Sequence, residues 1–220
     1  MARGSSPDGA RVLRLTAVAR QPDGIFRDTS VQKLESVADQ LTGLAAGRVV
    51  FALTEGWRTV YERLLRSPGL RTYRSVAWVR TPDYWQDPPG RQSMRVNFEA
   101  AAHGVAVERT VILADALWPA RARRPVRAVL PWIEEQHTRG VRVSLVREAE
   151  AGREPDLLAD TGLYGTRAVG VQELDDSGRT LKVTLDLDPQ AVRVAEERWR
   201  RLALYAVPFG NIRDDVEPSR

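Results

Sequence analysis

A short repeated unit constrains this fold more than any other feature of the sequence. In each unit a helical segment ends at a glycine, and an apolar strand follows within one or two residues; the glycines are Gly47, Gly104 and Gly140. A glycine can adopt the left-handed backbone conformation that ends a helix, which a side chain would resist. Strands that alternate with helices in this way predict a parallel sheet with right-handed crossovers.

The first unit gives the clearest helix of the chain, over Val31–Ala46. Its apolar residues recur at spacings of three and four, which predicts one buried face; they are Val31, Leu34, Ala38, Leu41 and Ala45. Thr29 followed by Gln32 indicates a capping box at the start of the helix, so residues 21–30 are expected to form a loop. The apolar run Val49–Leu53 is typical of a central parallel strand.

The same criteria predict most of the remaining elements. Helices are expected over residues 57–65, 94–103 and 125–139, and strands over residues 11–18, 75–79, 105–113 and 141–146. Pro131 favours a later start or a kink in the third of these helices.

The end of the chain follows a different pattern. Residues 167–174 and 180–187 flank a strong turn signal, Asp175–Gly178, and the second run alternates apolar with polar side chains. This pattern is typical of an antiparallel pair with one buried face. Asp188 and Pro189 are then expected to cap and begin a final helix.

These elements predict a three-layer α/β fold with a mainly parallel sheet and an antiparallel C-terminal hairpin at its edge. No linker divides the sequence, so one domain is expected over residues 11–210, with flexible tails at residues 1–10 and 211–220.

Composition excludes several kinds of site. The 220 residues contain no cysteine, which excludes disulfides, thiolate zinc sites and cysteine nucleophiles. A net charge of +4 indicates a mildly basic surface rather than the basic stripe of a dedicated DNA-binding protein. No apolar run approaches the ~18 residues of a membrane span, and residues 1–10 lack the apolar segment of a signal peptide. We therefore expect a cytoplasmic protein without membrane contact.

Two of the repeated units are closely similar to each other. Glu99–Val107 aligns without a gap on Glu135–Val143. These units resemble phospholipase D-like domains, in which a helix, a glycine-valine turn and a strand recur and a late helix carries an aromatic residue, here Trp199. The resemblance covers residues 48–206 and implies a phospholipase D-like fold.

The catalytic motif of that family is not matched. It requires a histidine that attacks phosphorus, a lysine two residues later that holds the phosphate, and an aspartate beyond, all present twice. In this sequence Val105 lies two residues after His103, and Arg139 lies two residues after His137. The resemblance then implies a regulatory or interaction module without catalytic activity or cofactor, which binds an anionic ligand, nucleic acid or a protein partner. A homodimer is expected for such a shape.

Polar and aromatic residues follow several predicted strands. Open α/β sheets bind ligands beyond the carboxyl ends of their strands, and aromatic side chains beside arginines can stack on bases or anchor an interface. The predicted ligand-binding residues are Glu55, Trp57, Asp83, Trp85, Arg91, Arg95, Asp115 and Arg147. The alternative stays open that these residues are only the polar ends that any strand needs before a helix begins.

An enzymatic alternative uses the carboxylates of the same strand ends. Glu55 together with Asp83, Asp115 or Asp186 could hold Mg²⁺, which prefers carboxylate oxygens, for phosphotransfer or hydrolysis. The leading interpretation has no metal site.

Overall fold

The computed structural model describes residues 17, 20, 22–52, 54–175 and 180–214, without the side chains of residues 54, 55, 213 and 214. The chain divides into two units, residues 1–47 and residues 48–220, whereas the sequence analysis placed one domain over residues 11–210. The predicted strand over residues 11–18 lies almost entirely outside the described residues, as do the predicted tail over residues 1–10 and most of the predicted turn after Asp175.

The first unit contains helix α1 (Gly24–Ala45). It begins well before the predicted start at Val31 because Asp23 caps it, with Asp23 Oδ1 accepting a hydrogen bond of 2.8 Å from the backbone N–H of Phe26. The predicted loop is therefore wrong over residues 24–30, and the capping box at Thr29 is wrong because Thr29 lies inside the helix. None of the described side chains of α1 is buried.

The second unit is built on one sheet, whose described strands are β1 (Arg48–Ala52), β2 (Thr72–Val79), β3 (Ala106–Leu113), β4 (Arg142–Arg147), β5 (Asp160–Tyr164), β6 (Ala168–Leu174), β7 (Thr180–Asp186) and β8 (Val207–Pro208). Their order across the sheet is β1-β7-β6-β5-β2-β3-β4-β8. The helices are α2 (Thr54–Leu65), α3 (Pro88–Ala102), α4 (Leu130–Thr138), α5 (Glu148–Ala151), α6 (Pro189–Ala203) and α7 (Phe209–Asp214), with 3₁₀ turns at Arg127–Val129 and Pro155–Leu157. The α/β fold with one open sheet is as predicted.

The sheet is mixed rather than mainly parallel. Only β2 with β3 and β3 with β4 pair in parallel, and the other described pairs are antiparallel. The predicted hairpin of β6 and β7 forms, but β1 pairs antiparallel with β7 and lies outside the hairpin at the edge. The prediction of a central parallel strand over Val49–Leu53 is wrong because an apolar run does not determine its neighbours. Val50, for example, is 52% exposed.

Helices pack against both faces of the sheet. Tyr73 and Ala77 of β2 point to one face and join a core with α2, α3, α4 and α7. Val76 points to the other face and joins a second core, which includes Leu202 of α6. Because side chains alternate along a strand, β2, β3 and β4 each contribute to both cores.

Three helices in the second half of the chain can be compared with individual sequence predictions, namely α4, α6 and α7. Pro131 is in the first turn of α4, as the later start requires. The predicted cap of α6 is confirmed, because Asp188 Oδ1 accepts a hydrogen bond of 3.1 Å from the backbone N–H of Gln190. The predicted C-terminal tail is wrong over residues 211–214, which belong to α7, and Ile212 packs into the first core. Residues 215–220 are outside the described part of the chain.

Candidate ligand-binding cavity

A cavity of about 540 Å³ lies on the sheet face that α2 and α3 cover. Strands β2, β3, β5, β6 and β7 contribute side chains to it, and the segment between β2 and α3, residues 80–87, contributes Thr81, Asp83, Tyr84, Trp85 and Asp87. The cavity therefore lies against the middle of the sheet rather than only at the strand ends.

A pair of glycines makes room for two aromatic side chains in the wall of the cavity. Gly162 on β5 lies directly opposite Gly170 on β6. A Cβ atom at Gly162 would lie 3.1 Å from Tyr73 Oη, and one at Gly170 would lie 3.1 Å from the ring of Trp57. The missing side chains are the reason that these two aromatic rings can approach the sheet.

Arg109 is a buried cation beside the cavity. It lies on β3, is 2% exposed, and donates a hydrogen bond of 2.9 Å from Nε to Ser75 Oγ and a second one to Gln136 Oε1. Its guanidinium carbon lies 4.2 Å from the centroid of the Trp85 ring. Within the described part of the chain, Arg109 forms no ion pair with a carboxylate. A buried charge without a counter-charge is costly, so this position favours an anion.

Three buried tyrosines pack together in the cavity wall, and two of them, Tyr61 and Tyr73, lie close enough to Arg109 for its charge to act on them. The rings of Tyr73 and Tyr164 stack with centroids 5.0 Å apart, and Tyr61 meets each of them edge-on. Burial raises the pKa of all three hydroxyls, and it outweighs the opposing effect of the Arg109 charge on Tyr61 and Tyr73. The hydroxyls therefore stay protonated and can donate hydrogen bonds at neutral pH.

Asn97 on α3 presents a buried acceptor to the same cavity. The residue is 1% exposed, and its Nδ2 donates a hydrogen bond of 2.8 Å to the backbone oxygen of Ser93. Its Oδ1 accepts no hydrogen bond from the residues that the structure describes. Because an unpaired buried acceptor costs free energy, this atom favours a ligand or water that carries a donor.

Asp160, at the start of β5, ties the 80–87 segment to the sheet. Its Oδ1 accepts a hydrogen bond of 2.5 Å from Tyr84 Oη and one of 3.3 Å from the backbone N–H of Trp78. Burial raises the pKa of Asp160 to about 6, although these two hydrogen bonds and the charge of Arg80 act in the opposite direction. Asp160 therefore changes its charge at mildly acidic pH.

Trp85 holds a strained backbone over the cavity. Its φ of 61° lies in the left-handed region, which is unfavourable for a bulky side chain and recurs at functional sites. The ring lies 4.6 Å from that of Tyr84 and 6.4 Å from that of Trp132, centroid to centroid. These contacts and the stacking on Arg109 keep Trp85 in place.

The structure brings together only part of the predicted site. Trp57, Asp83 and Trp85 line the cavity. The predicted residues that do not line it are Arg91, Arg95, Asp115 and Arg147. The guanidinium of Arg147 instead lies 4.1 Å from the Trp118 ring centroid and donates to the backbone oxygen of Ala122. Glu55 is in the first turn of α2, and its side chain is outside the description.

Sequence reasoning missed the residues that carry most of the chemistry. Arg109 could have been found from the alternation of β3, since its neighbours on the same face, Val107 and Val111, are apolar and buried. Asp160 was missed because Asp160–Gly162 resembles a loop in the sequence.

The carboxylates of the enzymatic alternative are spread over the second unit. Among the described residues, no group of three or more histidine and acidic side chains is arranged to hold a metal ion. Asp186 instead pairs with Arg48, whose nearest nitrogen lies 2.9 Å from Oδ2. Neither His103 nor His137 lines the cavity. No helix among the described residues is both long and apolar enough to cross a membrane.

The sequence matches no protein-family model and no curated protein. Its fold is similar to that of Nuc, a phospholipase D family member from Salmonella typhimurium, with a TM-score of 0.52, 14% identity, and coverage of 73% of this chain and 96% of Nuc. NucT from Helicobacter pylori gives a TM-score of 0.48 at 11% identity, over 73% of this chain and 98% of NucT. The archaeal chromatin protein TrmBL2 gives a TM-score of 0.45 at 10% identity, over 81% of this chain and 64% of TrmBL2. The likeness to Nuc extends over nearly all of that protein, and the fold of this chain is therefore phospholipase D-like.

Proposed function

We propose that the second unit is a non-catalytic binding module for a small organic anion, which occupies the cavity beside Arg109. The observation that carries the proposal is the buried guanidinium, which lacks a carboxylate partner among the described residues. A carboxylate or phosphate on the ligand would supply the counter-charge, and the planar guanidinium matches both groups geometrically.

Other groups of the cavity narrow the chemistry of the ligand. Asn97 Oδ1 offers an acceptor that suits a ligand with a hydroxyl or amino donor beside its anionic group. Trp57 and Trp85 provide apolar ring faces for its carbon skeleton. The volume of about 540 Å³ is within the range of small-molecule sites.

The position of Arg109 favours this ligand over the other partners considered. A nucleic acid or protein would contact exposed side chains first, and Arg91 and Arg95 are exposed whereas Arg109 is buried. Catalysis of the family's kind would require a histidine and a lysine at the site, and none of the described cavity residues is either.

We expect a small anion to raise the melting temperature of the protein, and the variant Arg109→Met to remove that response. Binding at 100 times the dissociation constant stabilises a protein by about 2.7 kcal/mol, which corresponds to a rise of roughly 5–10 °C for a domain of this size. The probes are inorganic phosphate, lactate, citrate and glucose 6-phosphate, each measured by thermal unfolding at millimolar concentration.

The matched control is Arg95→Met, which removes an exposed arginine from α3 and should keep the response. Without ligand, Arg109→Met should change the melting temperature by no more than a few degrees, because the removal of an uncompensated buried charge offsets the loss of the hydrogen bond donated to Gln136 Oε1. The proposal fails if none of the probes stabilises the wild type, or if Arg109→Met responds as strongly as Arg95→Met.

A further inference from the structure

A buried carboxylate lines the same cavity as the buried cation. Asp160 is 6% exposed and contributes to the lining together with Arg109. Its Oδ1 accepts the hydrogen bonds from Tyr84 and from the backbone of Trp78, whereas its Oδ2 accepts none from the described residues. The guanidinium of Arg80 acts on Asp160 through its charge, but it lies over the Trp78 ring and donates to a backbone oxygen. Within the described part of the chain, Asp160 therefore forms no ion pair.

The two opposite charges lie on either side of β2, because β3 carries Arg109 and β5 begins with Asp160. Neighbouring strands are about 4.8 Å apart, so β3 and β5 are separated by about 10 Å. Arg109 Nε donates to Ser75 Oγ on β2, which brings the guanidinium over the intervening strand. The Tyr84 hydroxyl lies near both charges, since burial and Asp160 raise its pKa and Arg109 acts in the opposite direction. One small molecule can therefore reach both charges.

Neutral groups hold the two charges in place. Arg109 donates to the hydroxyl of Ser75 and to the amide oxygen of Gln136, and Asp160 accepts from the hydroxyl of Tyr84. Each charge is thus desolvated without a counter-charge, which is costly. A ligand with one negative and one positive group would offset both costs, whereas a simple anion would leave Asp160 uncompensated.

The rest of the lining offers solvated charges and apolar surface. Its other charged residues, Arg58, Asp83 and Asp87, are half-buried or exposed, so water already solvates them. Trp57 and Met94 add apolar surface to the wall. The cavity therefore suits a zwitterion that also carries an apolar group.

We propose that the cavity binds a free amino acid with an apolar side chain, whose carboxylate pairs with Arg109 and whose ammonium group pairs with Asp160. The planar guanidinium matches the carboxylate, and Asp160 Oδ2 is the oxygen that accepts from the ammonium group. The apolar side chain packs against Trp57. This assignment rests on the anion site of the proposed function and adds to it a subsite for a cation.

Isothermal titration calorimetry of the full chain at pH 7.5 tests the assignment, because Asp160, with a pKa of about 6, is charged at this pH. The probes are L-leucine and L-phenylalanine, together with their analogues without an amino group, 4-methylpentanoate and 3-phenylpropionate. At least one amino acid is expected to bind, with a dissociation constant about tenfold or more below that of its analogue, because the analogue leaves Asp160 unpaired.

Asp160→Asn is expected to remove this preference. The variant should bind the amino acid about tenfold or more weakly than the wild type does, and it should bind the analogue at least as tightly. Asp188→Asn makes the matched change at an exposed carboxylate that does not line the cavity, and it should bind both probes as the wild type does.

Three outcomes overturn the assignment: neither amino acid binds, each analogue binds as tightly as its amino acid, or Asp160→Asn keeps the preference of the wild type. The anion site fails separately. An analogue that binds the wild type but not Arg109→Met supports the anion site even when the amino acid has no advantage. Amino acid binding that is unchanged in Arg109→Met overturns both proposals.

Discussion

Replacing Asp160 by asparagine is expected to raise the free energy of unfolding at pH 7 by up to about 3 kcal/mol. Burial penalises the charged carboxylate, which is why its pKa is about 6 rather than 3.8. Asparagine has the same shape and no charge. Its Oδ1 can still accept from Tyr84 Oη and from the backbone N–H of Trp78, because both already donate to a single oxygen of Asp160.

The pH dependence of this effect has a definite sign. Between pH 3.8 and about 6 the folded protein binds the Asp160 proton more tightly than the unfolded chain does. The free energy of unfolding of the wild type therefore falls as the pH rises through this window, and the penalty is complete above about pH 6. The variant lacks this contribution, so its advantage should be largest at neutral pH and vanish near pH 4.

Urea unfolding of the two proteins between pH 4 and pH 8 measures the difference directly. The other carboxylates are common to both proteins, so their titration cancels in the difference. A variant that is less stable than the wild type at pH 7, or a difference that does not change with pH, would show that the Tyr84 and Trp78 hydrogen bonds outweigh the cost of burying the charge.

Replacing Gly90 by alanine is expected to destabilise the second unit by about 1–3 kcal/mol. Gly90 is in the first turn of α3, where Asp87 Oδ1 accepts a hydrogen bond of 3.0 Å from its backbone N–H. A Cβ atom there would lie 2.5 Å from Trp85 Cα and 2.6 Å from Asp87 Oδ1. A close contact with backbone is hard to relieve, so Trp85 would move away from Arg109 and Trp132.

The direction of this effect distinguishes it from the usual result, since alanine in place of glycine normally stabilises a helix by about 0.5–1 kcal/mol. Gly210→Ala in α7 is the matched control, because a Cβ atom there has no neighbour within 4 Å. The melting temperature and the tryptophan emission are measured for both variants and compared with those of the wild type. If Gly90→Ala melts at or above the temperature of Gly210→Ala and its emission is unchanged, the contact with Trp85 does not hold the 80–87 segment in place.

Only some of the cavity residues could be predicted from the sequence. The 80–87 segment and Trp57 could be identified from aromatic and polar residues near strand ends, and three of the predicted residues line the cavity. The alternation of β3 marks Arg109 as a charged residue on an apolar face, but neither its role nor that of Asn97 follows from composition or spacing. Their importance depends on the absence of a partner at a buried position, which is a property of the surroundings rather than of the residue.

The sequence by itself determined the local elements of this protein. Helix endings at Gly104 and Gly140, the strand segments β2, β3 and β4 and the cap at Asp188 all follow from backbone freedom, apolar periodicity and hydrogen bonds between near neighbours. These interactions act over a few residues, so a short stretch of sequence contains all the information that they need.

Only the tertiary structure decided which strands pair and which side chains are buried together. The apolar run of β1 suits a central strand as well as an edge strand, and its antiparallel pairing with β7 joins residues more than a hundred positions apart. Tyr84 and Asp160 meet across 76 positions of sequence. Such contacts are selected by how all the apolar surfaces of the unit are covered at once, because burial is a property of the whole packed core and not of any one segment.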